Sequence, residues 1–318
     1  NAIVSGTSGL ALGGTIDAGQ PSYVAQNIGA VENKGFEVAL NTQNTTGDFK
    51  WNTIFIFSNN RNKVLDVGNL QGLIIPNTNA PSVIAVGQPL GSFIVYKTDG
   101  LVQPGEEGTN ALTPQAFKGV GAQKYKDING DGKITQAGDR VIIANQPGVN
   151  LGFTNTFAYK GFDLSVFFQA SLGAKLYNQN RAQLELNNGA GNGSKDAARA
   201  YRVPGTRGPN DPGLTDTDVK AAYIDPAITL ADRFIEDASY LRLKNIAFGY
   251  SLPASLLSKI KVKSLRLYIS AQNYWTLTKY TGFDPEASAA GQALINRGVD
   301  NGVYPNNKSV QSGLQLTF

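Results

Sequence analysis

The residues best suited to chemistry lie in the stretch YKDINGDGKIT, residues 125–135. Oxygen-bearing side chains alternate at Asp127, Asn129 and Asp131, and Gly132 follows directly. This spacing is the opening of a calcium loop of the EF-hand type, in which positions 1, 3 and 5 supply side-chain oxygens and position 6 requires glycine for a sharp turn. The stretch therefore predicts a site for calcium.

The rest of such a loop can be counted along the chain. Its seventh position supplies a backbone carbonyl and its ninth a hydroxyl, but the twelfth, where a bidentate acid is expected, is Gly138, and the acid comes one residue late. The predicted ligands are Asp127, Asn129, Asp131, the Lys133 carbonyl, Thr135 and Asp139. The alternative is a metal-free turn ordered by its own side-chain hydrogen bonds, with its two glycines left-handed.

Composition excludes several other kinds of site. The 318 residues contain no Cys, His or Met, so the usual zinc sites, thiol chemistry and histidine bases are excluded. The net charge of +4 is mild and the basic residues are scattered, so no nucleic-acid surface is expected. Acid pairs such as Glu236–Asp237 lie in no recognisable acid/base setting, and the chain is not expected to be an enzyme.

The elements that must position the calcium loop are β-strands. Seven segments alternate between apolar and polar residues with a period of two, which is typical of strands. They lie at 35–42, 49–58, 150–159, 162–172, 239–252, 264–277 and 309–318. In 239–252 the apolar phase shifts near Asn245, which predicts a β-bulge.

Two features favour a membrane β-barrel over a soluble sandwich or solenoid, which remain the alternatives. The alternating runs are about 10 residues long, which matches the length needed to cross a bilayer and exceeds that of an average strand. Short connections alternate with the long stretches 61–149, 173–236 and 278–303. Outer-membrane barrels have short periplasmic turns and long external loops.

Strand direction and aromatic placement agree with this interpretation. If the last strand ends at the periplasm, every short connection lies inside and every long one outside. Aromatic residues then fall near strand ends, as in membrane girdles, although core aromatics are the alternative. They are Phe49, Trp51, Tyr159, Phe162 and Phe318 on the inner side and Trp275 toward the outer.

The predicted fold class is therefore all-β, a transmembrane antiparallel β-barrel with long external loops. Seven strands are an odd number, and single-chain bacterial barrels have an even number, so this chain is expected to supply about seven carboxyl-terminal strands of a larger barrel. The chain starts at Asn1 without a signal peptide, which agrees with that expectation.

Eight motifs, in this order, resemble the carboxyl-terminal part of SusC/RagA-type TonB-linked outer-membrane transporters. They are NIGAVENKGFEVALNTQN (27–44), DFKWNTIFIFSNNRNKV (48–64), VGQPLGSFIVYKTDGLVQ (86–103), YKDINGDGKIT with the following DR (125–140), FAYKGFDLSVFFQASLGAKLYN (157–178), FIEDASYLRLKNIAFGYSLP (234–253), LRLYISAQNYWTLTKYTGFDPE (265–286) and the terminal LQLTF. The resemblance covers nearly all of residues 1–318.

The resemblance implies a barrel of about 22 strands whose plug domain and TonB-contacting segment lie upstream of this chain. It implies import of oligosaccharides or peptides across the outer membrane of a Gram-negative bacterium, energised by TonB. The implied partners are the rest of the same transporter, a SusD-like surface lipoprotein that acts as a lid, TonB through the upstream part, and outer-membrane lipid.

The loop at 125–140 would then lie within the long external segment 61–149, and a structural calcium ion is the one cofactor expected. Two stretches of the external loops, 178–188 and 215–224, look briefly helical. Polar strand residues would face the lumen, where they contact substrate or simply meet water and the plug. They include Glu37, Asn41, Asn52, Asp163, Gln169, Arg266, Tyr268, Gln272 and Tyr274.

The alternative function is a secreted calcium-binding β-sandwich that acts as a glycan-binding or adhesion module. It accounts for the alternation and the calcium loop. It does not account for the pattern of connections or for the order of the motifs.

Overall fold

The structure, a computed structural model, describes residues 29–68, 73–74, 81–106, 122–185, 193, 230–257, 262–288 and 297–318. The strands of this described part are β1 (Ala30–Thr46), β2 (Phe49–Asp66), β3 (Leu73–Ile74), β4 (Ser82–Ala85), β5 (Ser92–Tyr96), β6 (Thr98–Leu101), β7 (Gln123–Tyr125), β8 (Arg140–Ile143), β9 (Val149–Tyr159), β10 (Phe162–Leu172), β11 (Lys175–Asn178), β12 (Ile235–Asp237), β13 (Tyr240–Ser251), β14 (Ser264–Thr278), β15 (Val299–Asp300) and β16 (Ser309–Thr317).

Helices are few and short in the described residues. They are α1 (Gln179–Leu184), α2 (Ala254–Leu257) and a 3-10 turn at Asp232–Phe234. Helix α1 falls in the stretch 178–188 that looks helical in the sequence, and the Asn178 side chain caps it by accepting a hydrogen bond from the Arg181 backbone N–H. The stretch 215–224 lies outside the described residues. Across the described ranges, no helix is both long and apolar enough to cross a membrane.

Seven long strands form one antiparallel sheet in the order β1-β2-β9-β10-β13-β14-β16. These are the strands predicted from the alternation, and they follow one another across the sheet in chain order. The connections β1–β2, β9–β10 and β13–β14 are short and lie at one end, which we call the short-connection end. The other three connections are long and leave from the long-connection end. The predicted alternation of connections is confirmed.

The β9–β10 connection is a two-residue turn in which Lys160 and Gly161 both have positive φ, 45° and 88°. This is the type I′ geometry, whose twist matches that of the flanking strands. Gly161 is needed for a second reason, because a Cβ there would lie 2.8 Å from the carbonyl oxygen of Ser251, the last residue of β13.

The strand register joins apolar side chains into one face that runs across the sheet. One ladder crosses six strands through Leu40, Phe55, Phe153, Phe168, Leu243 and Trp275. Leu40 and Trp275 keep 55% and 44% of their surface exposed, so no other layer of the described chain covers this face. A β-sandwich would bury such a face against a second sheet. The sandwich alternative is therefore not favoured.

An aromatic belt lies on the apolar face at the short-connection end. Trp51 packs on Phe157 at 6.0 Å between ring centroids, and Phe162 packs on Phe248 at 5.8 Å. The ring centroids of Phe49 and Tyr159 lie 6.5 Å apart. These positions agree with the predicted inner girdle.

The predicted bulge is present in β13. The pairing with β10 passes from Leu243 directly to Asn245, and Lys244 has no partner there. The pairing with β14 shifts at the same point, where Asn273 adopts a positive φ of 51°. One unpaired residue reverses the facing of the rest of the strand, which explains the phase shift in the sequence.

The long connections carry folded structure. The short elements β3–β8, β11, β12, β15 and α1, with the 3-10 turn, form what we call the loop module. Strand β2 itself continues to Asp66, into the segment 61–149. The main core of the module draws residues from all three long connections: Phe93, Tyr96, Tyr125, Ile134, Tyr177, Ala182, Ala231, Phe234 and Val299. Strands of two to five residues are too short for alternation to reveal them.

Candidate functional site

The loop 125–140 is a compact turn between β7 and β8. The Asp127 carboxylate accepts hydrogen bonds from the backbone N–H groups of Gly130 and Gly132, each at 2.7 Å. Both glycines are left-handed, with φ of 76° and 79°. The chain therefore turns where a calcium loop needs it to turn, at the glycine of the sixth position.

The next two predicted ligands stabilise the same turn. The Asn129 amide oxygen accepts a hydrogen bond from the Asp131 N–H at 3.0 Å, and Asp131 accepts one from the Lys133 N–H at 2.8 Å. The Asn129 amide nitrogen donates to Asp131 at 3.1 Å and lies against the position where a Cβ of Gly138 would be. Asn129 thus occupies the space beside the twelfth position, which explains why glycine stands there.

Asp139 is completely buried and closes the loop from behind. Its carboxylate accepts hydrogen bonds from the Ile128 N–H at 2.9 Å, the Thr135 N–H at 2.7 Å and the Thr135 hydroxyl at 3.2 Å. Burial alone raises the pKa of Asp139, but the backbone and hydroxyl donors of Thr135 and Ile128 outweigh it and hold the pKa below its ordinary value. The late acid therefore joins the second and ninth positions of the loop.

The six predicted ligands meet the chemistry of a calcium site in part. All are hard oxygen donors, and Asp127, Asn129 and Asp131 lie together on one turn. In the described residues, however, no three acidic, histidine or cysteine side chains converge as a metal-binding group. Calcium binding thus remains a prediction that depends on Asp139 turning toward the ion.

A second cluster lies on the polar face at the long-connection end. Arg242, only 3% exposed, donates to Asp284 at 2.7 Å, to Glu286 at 2.5 Å and to the Thr276 hydroxyl at 3.0 Å. The Tyr240 hydroxyl donates to Glu286 at 2.6 Å. Strand β13 and the loop 281–288 are thereby joined by several charge-assisted hydrogen bonds, which are stronger than neutral ones.

The carboxyl group of Asp284 is held in its ionised form. Burial raises its pKa, but hydrogen bonds from the Arg242 guanidinium and from the N–H groups of Glu286 and Asn306 lower it by a larger amount. The pKa of Asp284 is therefore below the ordinary value. The Asn306 N–H reaches Asp284 at 2.8 Å. Asp284 thus connects the loop 281–288 both to strand β13 and to the segment before β16.

A cavity of about 520 Å³ opens between this cluster and the loop module. It is lined by Asn62, Leu90, Asn145, Gln146, Pro147, Ala174, Lys175, Leu176, Pro285, Glu286, Ala287, Ser288, Arg297 and Gly298. Asn145 fixes two of its walls by donating to the Arg297 carbonyl at 2.8 Å and accepting from the Lys175 N–H at 3.2 Å. Its lining combines amides and charges of both signs with apolar side chains such as Leu90, Pro147 and Leu176.

Sequence reasoning did not find this cavity, because its lining comes from several separate connections. The one available signal was the motif TGFDPE, which contains Asp284 and Glu286. All but one of the polar strand residues are placed as predicted: by register, Glu37, Asn41, Asn52, Asp163, Gln169, Arg266, Tyr268 and Gln272 share the face opposite the apolar ladder. Tyr274 lies beside the irregularity at Asn273 and has no partner in the register of the described strands. Ile54 and Ile56 interrupt this polar face and are exposed there.

A long antiparallel sheet with an exposed apolar face, a polar reverse face, short connections at one end and long ones at the other is typical of outer-membrane β-barrel proteins. No protein-family model matches the chain, but individual proteins that are similar to it agree with this class. TonB-dependent receptor P3 of Formosa agariphila is 37% identical over 305 residues, which cover 92% of this chain and 29% of that protein. TonB-dependent receptor SusC of Bacteroides thetaiotaomicron is 29% identical over 319 residues, which cover 93% of this chain and 27% of that protein.

Solved structures give the same result. The chain matches a structure of the RagAB peptide transporter with a TM-score of 0.70 and 25% identity, over 92% of this chain and 30% of that one. The chain is therefore a homologue of TonB-dependent receptors, among them SusC, and the relationship indicated by its motifs is confirmed. It spans less than a third of the length of these relatives, 29% and 27% for the two receptors. The relatives are receptors and transporters, which agrees with a non-enzymatic function.

Proposed function

We propose that this chain forms the carboxyl-terminal wall of a TonB-energised transporter that imports oligosaccharides or peptides across the outer membrane of a Gram-negative bacterium. The observation that carries the proposal is the exposed apolar ladder from Leu40 to Trp275, with polar side chains on the reverse face. Lipid is the environment in which such a sheet gains by exposing its apolar side.

The edges of the sheet support completion by further strands. In the described residues, β1 and β16 each pair on one side only. Unpaired backbone groups cost several kcal/mol each in lipid, so both edges must be paired, which a closed barrel achieves. Upstream strands of the same transporter, about 22 in total with these seven, are the proposed partners.

The cavity at the long-connection end is the proposed place of first contact with the cargo. It lies at the outer mouth of the polar face, where substrate would enter, and its lining holds amides, Lys175, Arg297 and Glu286, whose carboxylate already binds Arg242. This mixture suits the termini and side chains of a peptide better than a neutral sugar. The similarity to a peptide transporter favours the same cargo.

The loop module is the proposed seat of a SusD-like lipoprotein. Its buried core, which includes Phe93, Tyr125 and Phe234, gives it a fixed shape on which a lid can close. A calcium ion at Asp127, Asn129 and Asp131 would stiffen the rim of that seat. The role assigned to calcium is structural only.

Uptake by whole cells tests this function. The full-length receptor carrying this segment is expressed in a strain that lacks it, and labelled oligopeptides and oligosaccharides are offered in turn. We expect uptake of one class that needs both the receptor and TonB. A receptor with the substitution Lys175→Gln, in the lining of the cavity, should take up the same cargo more slowly at unchanged outer-membrane abundance. Equal uptake of both cargo classes in cells with and without TonB would overturn the proposal.

A further inference from the structure

The β1–β2 hairpin reverses its polarity along its length. Near the β1–β2 connection, the apolar face of this hairpin carries apolar side chains as far as Phe36, which is 60% exposed. We call this the outward face of the hairpin. One step further along the same face stand Lys34 and, on the partner strand, Arg61. The pairing has no register shift from Val31 to Gln43, so alternation alone places Lys34 and Phe36 on one face.

The opposite face of the hairpin changes in the reverse sense. Val31 pairs with Val64, which is only 1% exposed and packs with Val67 and Ile84 in the loop module. Val31 and Val64 thus point toward the loop module and the charges point outward, as in a sheet that meets water, although Leu65 in the same part of β2 is 48% exposed. With the proposed membrane placement, the boundary between lipid and water falls between Phe36 and Lys34.

A basic patch sits at this boundary on the lipid-facing side. It consists of Lys34, Arg61 and Lys63, with Glu32 as its one acid. Lys34 pairs with Glu32 at 2.8 Å, and its side chain is 75% exposed. The side chains of Arg61 and Lys63 are exposed and make no hydrogen bond or ion pair with other described residues.

The arrangement favours an anion from outside the chain, although Glu32 already pairs with Lys34 and faces Lys63 across the two strands. Lys34 and Arg61 are direct cross-strand partners, and like charges placed so repel each other. Three cations against one acid leave an excess of positive charge beside the lipid face. Arginine offers a planar fork that binds phosphate oxygens in pairs, and lysine adds a mobile point charge.

We propose that Lys34, Arg61 and Lys63 bind the phosphorylated headgroup of an outer-leaflet glycolipid, lipid A, whose acyl chains lie along Phe36 and the apolar face below. The inference rests on the membrane placement given under the proposed function. Charge complementarity and continuity with the apolar face both select a membrane lipid. The bound lipid would fix the height and tilt of the β1–β2 hairpin in the outer leaflet.

The test uses the full-length receptor purified from outer membranes in mild detergent. Retention of added lipid A is measured by native mass spectrometry, with phosphorylated lipid A and with the same lipid after its phosphates are removed. The test variant is Lys34→Gln, Arg61→Gln and Lys63→Gln combined. The matched control is Lys50→Gln, Lys160→Gln and Lys263→Gln, at the short-connection end of the same sheet.

We expect the unmodified receptor to prefer phosphorylated lipid A and the test variant to lose at least about tenfold of that retention, because basic residues near an anionic surface each contribute several-fold to binding. The control variant should retain it. Equal retention by the test variant, an equal loss in the control, or equal retention of the dephosphorylated lipid would each overturn the headgroup site. If one of these results is obtained with a receptor that inserts and imports normally, this site is refuted and the proposed function is not. Absence of the unmodified receptor from outer membranes would refute the proposed function as well.

Discussion

The guanidinium of Arg266 on β14 reaches across β13 to the carboxylate of Asp163 on β10, with nitrogen–oxygen distances of 2.9 and 2.5 Å. It passes over Gly249, where a Cβ would lie 2.5 Å from the guanidinium. Tyr268 lies over Gly313 in the same manner, with its hydroxyl 2.6 Å from the position of a Cβ. Glycine on the neighbouring strand therefore lets large polar side chains lie flat on the polar face.

The substitution Gly249→Leu should separate Arg266 from Asp163. Overpacking of this kind costs about 1–3 kcal/mol, so the receptor should unfold at a lower temperature. Unfolding in detergent can be followed by far-ultraviolet circular dichroism. Gly152→Ala on the same face is the control, because a Cβ there meets its nearest neighbours at an ordinary 3.6 Å. An unchanged melting temperature for Gly249→Leu would contradict the crossing described above.

Neighbouring residues on β14 should respond differently to the same substitution. Ile269 lies on the apolar face and is 50% exposed, and Ser270 faces the other side. Ile269→Arg should cost about 2–4 kcal/mol near the bilayer midplane, and Ser270→Arg much less. Urea unfolding in lipid vesicles measures the difference. Equal costs at the two positions would exclude lipid contact on one face.

Loss of Arg242 should free the loop 281–288. Removing one partner from a buried ion pair costs about 3–5 kcal/mol, because the remaining charges stay buried. Arg242→Leu should therefore increase hydrogen exchange in 281–288 while the strands stay protected. Lys244→Gln removes a more exposed partner of Glu286, 3.1 Å away, and should cost less than about 1 kcal/mol. Similar exchange in both variants would show that Arg242 is not the main anchor.

Asp139 should make the loop 125–140 sensitive to acid, but only at low pH. Its pKa is lowered in the folded chain, so it contributes stability above the unfolded value of about 3.9, and this is lost as pH falls through the folded pKa. Loop order should be constant between neutral pH and about pH 5. Asp139→Asn should loosen the loop at neutral pH. Hydrogen exchange at the Ile128 and Thr135 amides, corrected for its intrinsic pH dependence, measures loop order in the unmodified chain and in the variant. Acid sensitivity near pH 6 would assign the effect to another group.

Calcium should protect the same loop from proteolysis. With a Kd of about 10⁻⁴ M, a value found in extracellular sites, 1 mM calcium should slow cleavage about tenfold. Asp127→Asn combined with Asp131→Asn should abolish this protection while the sheet remains intact. Magnesium, which prefers a smaller octahedral site, serves as the ion control. Protection by calcium that persists in the double variant would exclude the loop as its site.

The sequence revealed the features that repeat and missed those assembled from distant segments. Alternation predicted the large sheet and even the bulge beside Asn245, because each strand reports its own facing. The loop module and the cavity escaped prediction. Asn145, Lys175, Glu286 and Arg297 come from separate connections, and only the register of the whole sheet brings them together. Asp139 illustrates the same limit locally, since the motif located the acid but not the backbone donors that hold it.

The parallel pairing of β11 with β15 has a consequence for how the protein forms. Tyr177 pairs with Val299, and Asn180 binds Asp300 at 3.1 Å, across about 120 residues of chain. Contacts between residues so distant in sequence form late, because closure of the intervening chain must come first. Val299 also belongs to the last long connection, just before the final strand of the sheet. The core around Tyr177 is therefore complete only once the last long connection has reached the loop module, so the first two long connections cannot close it by themselves.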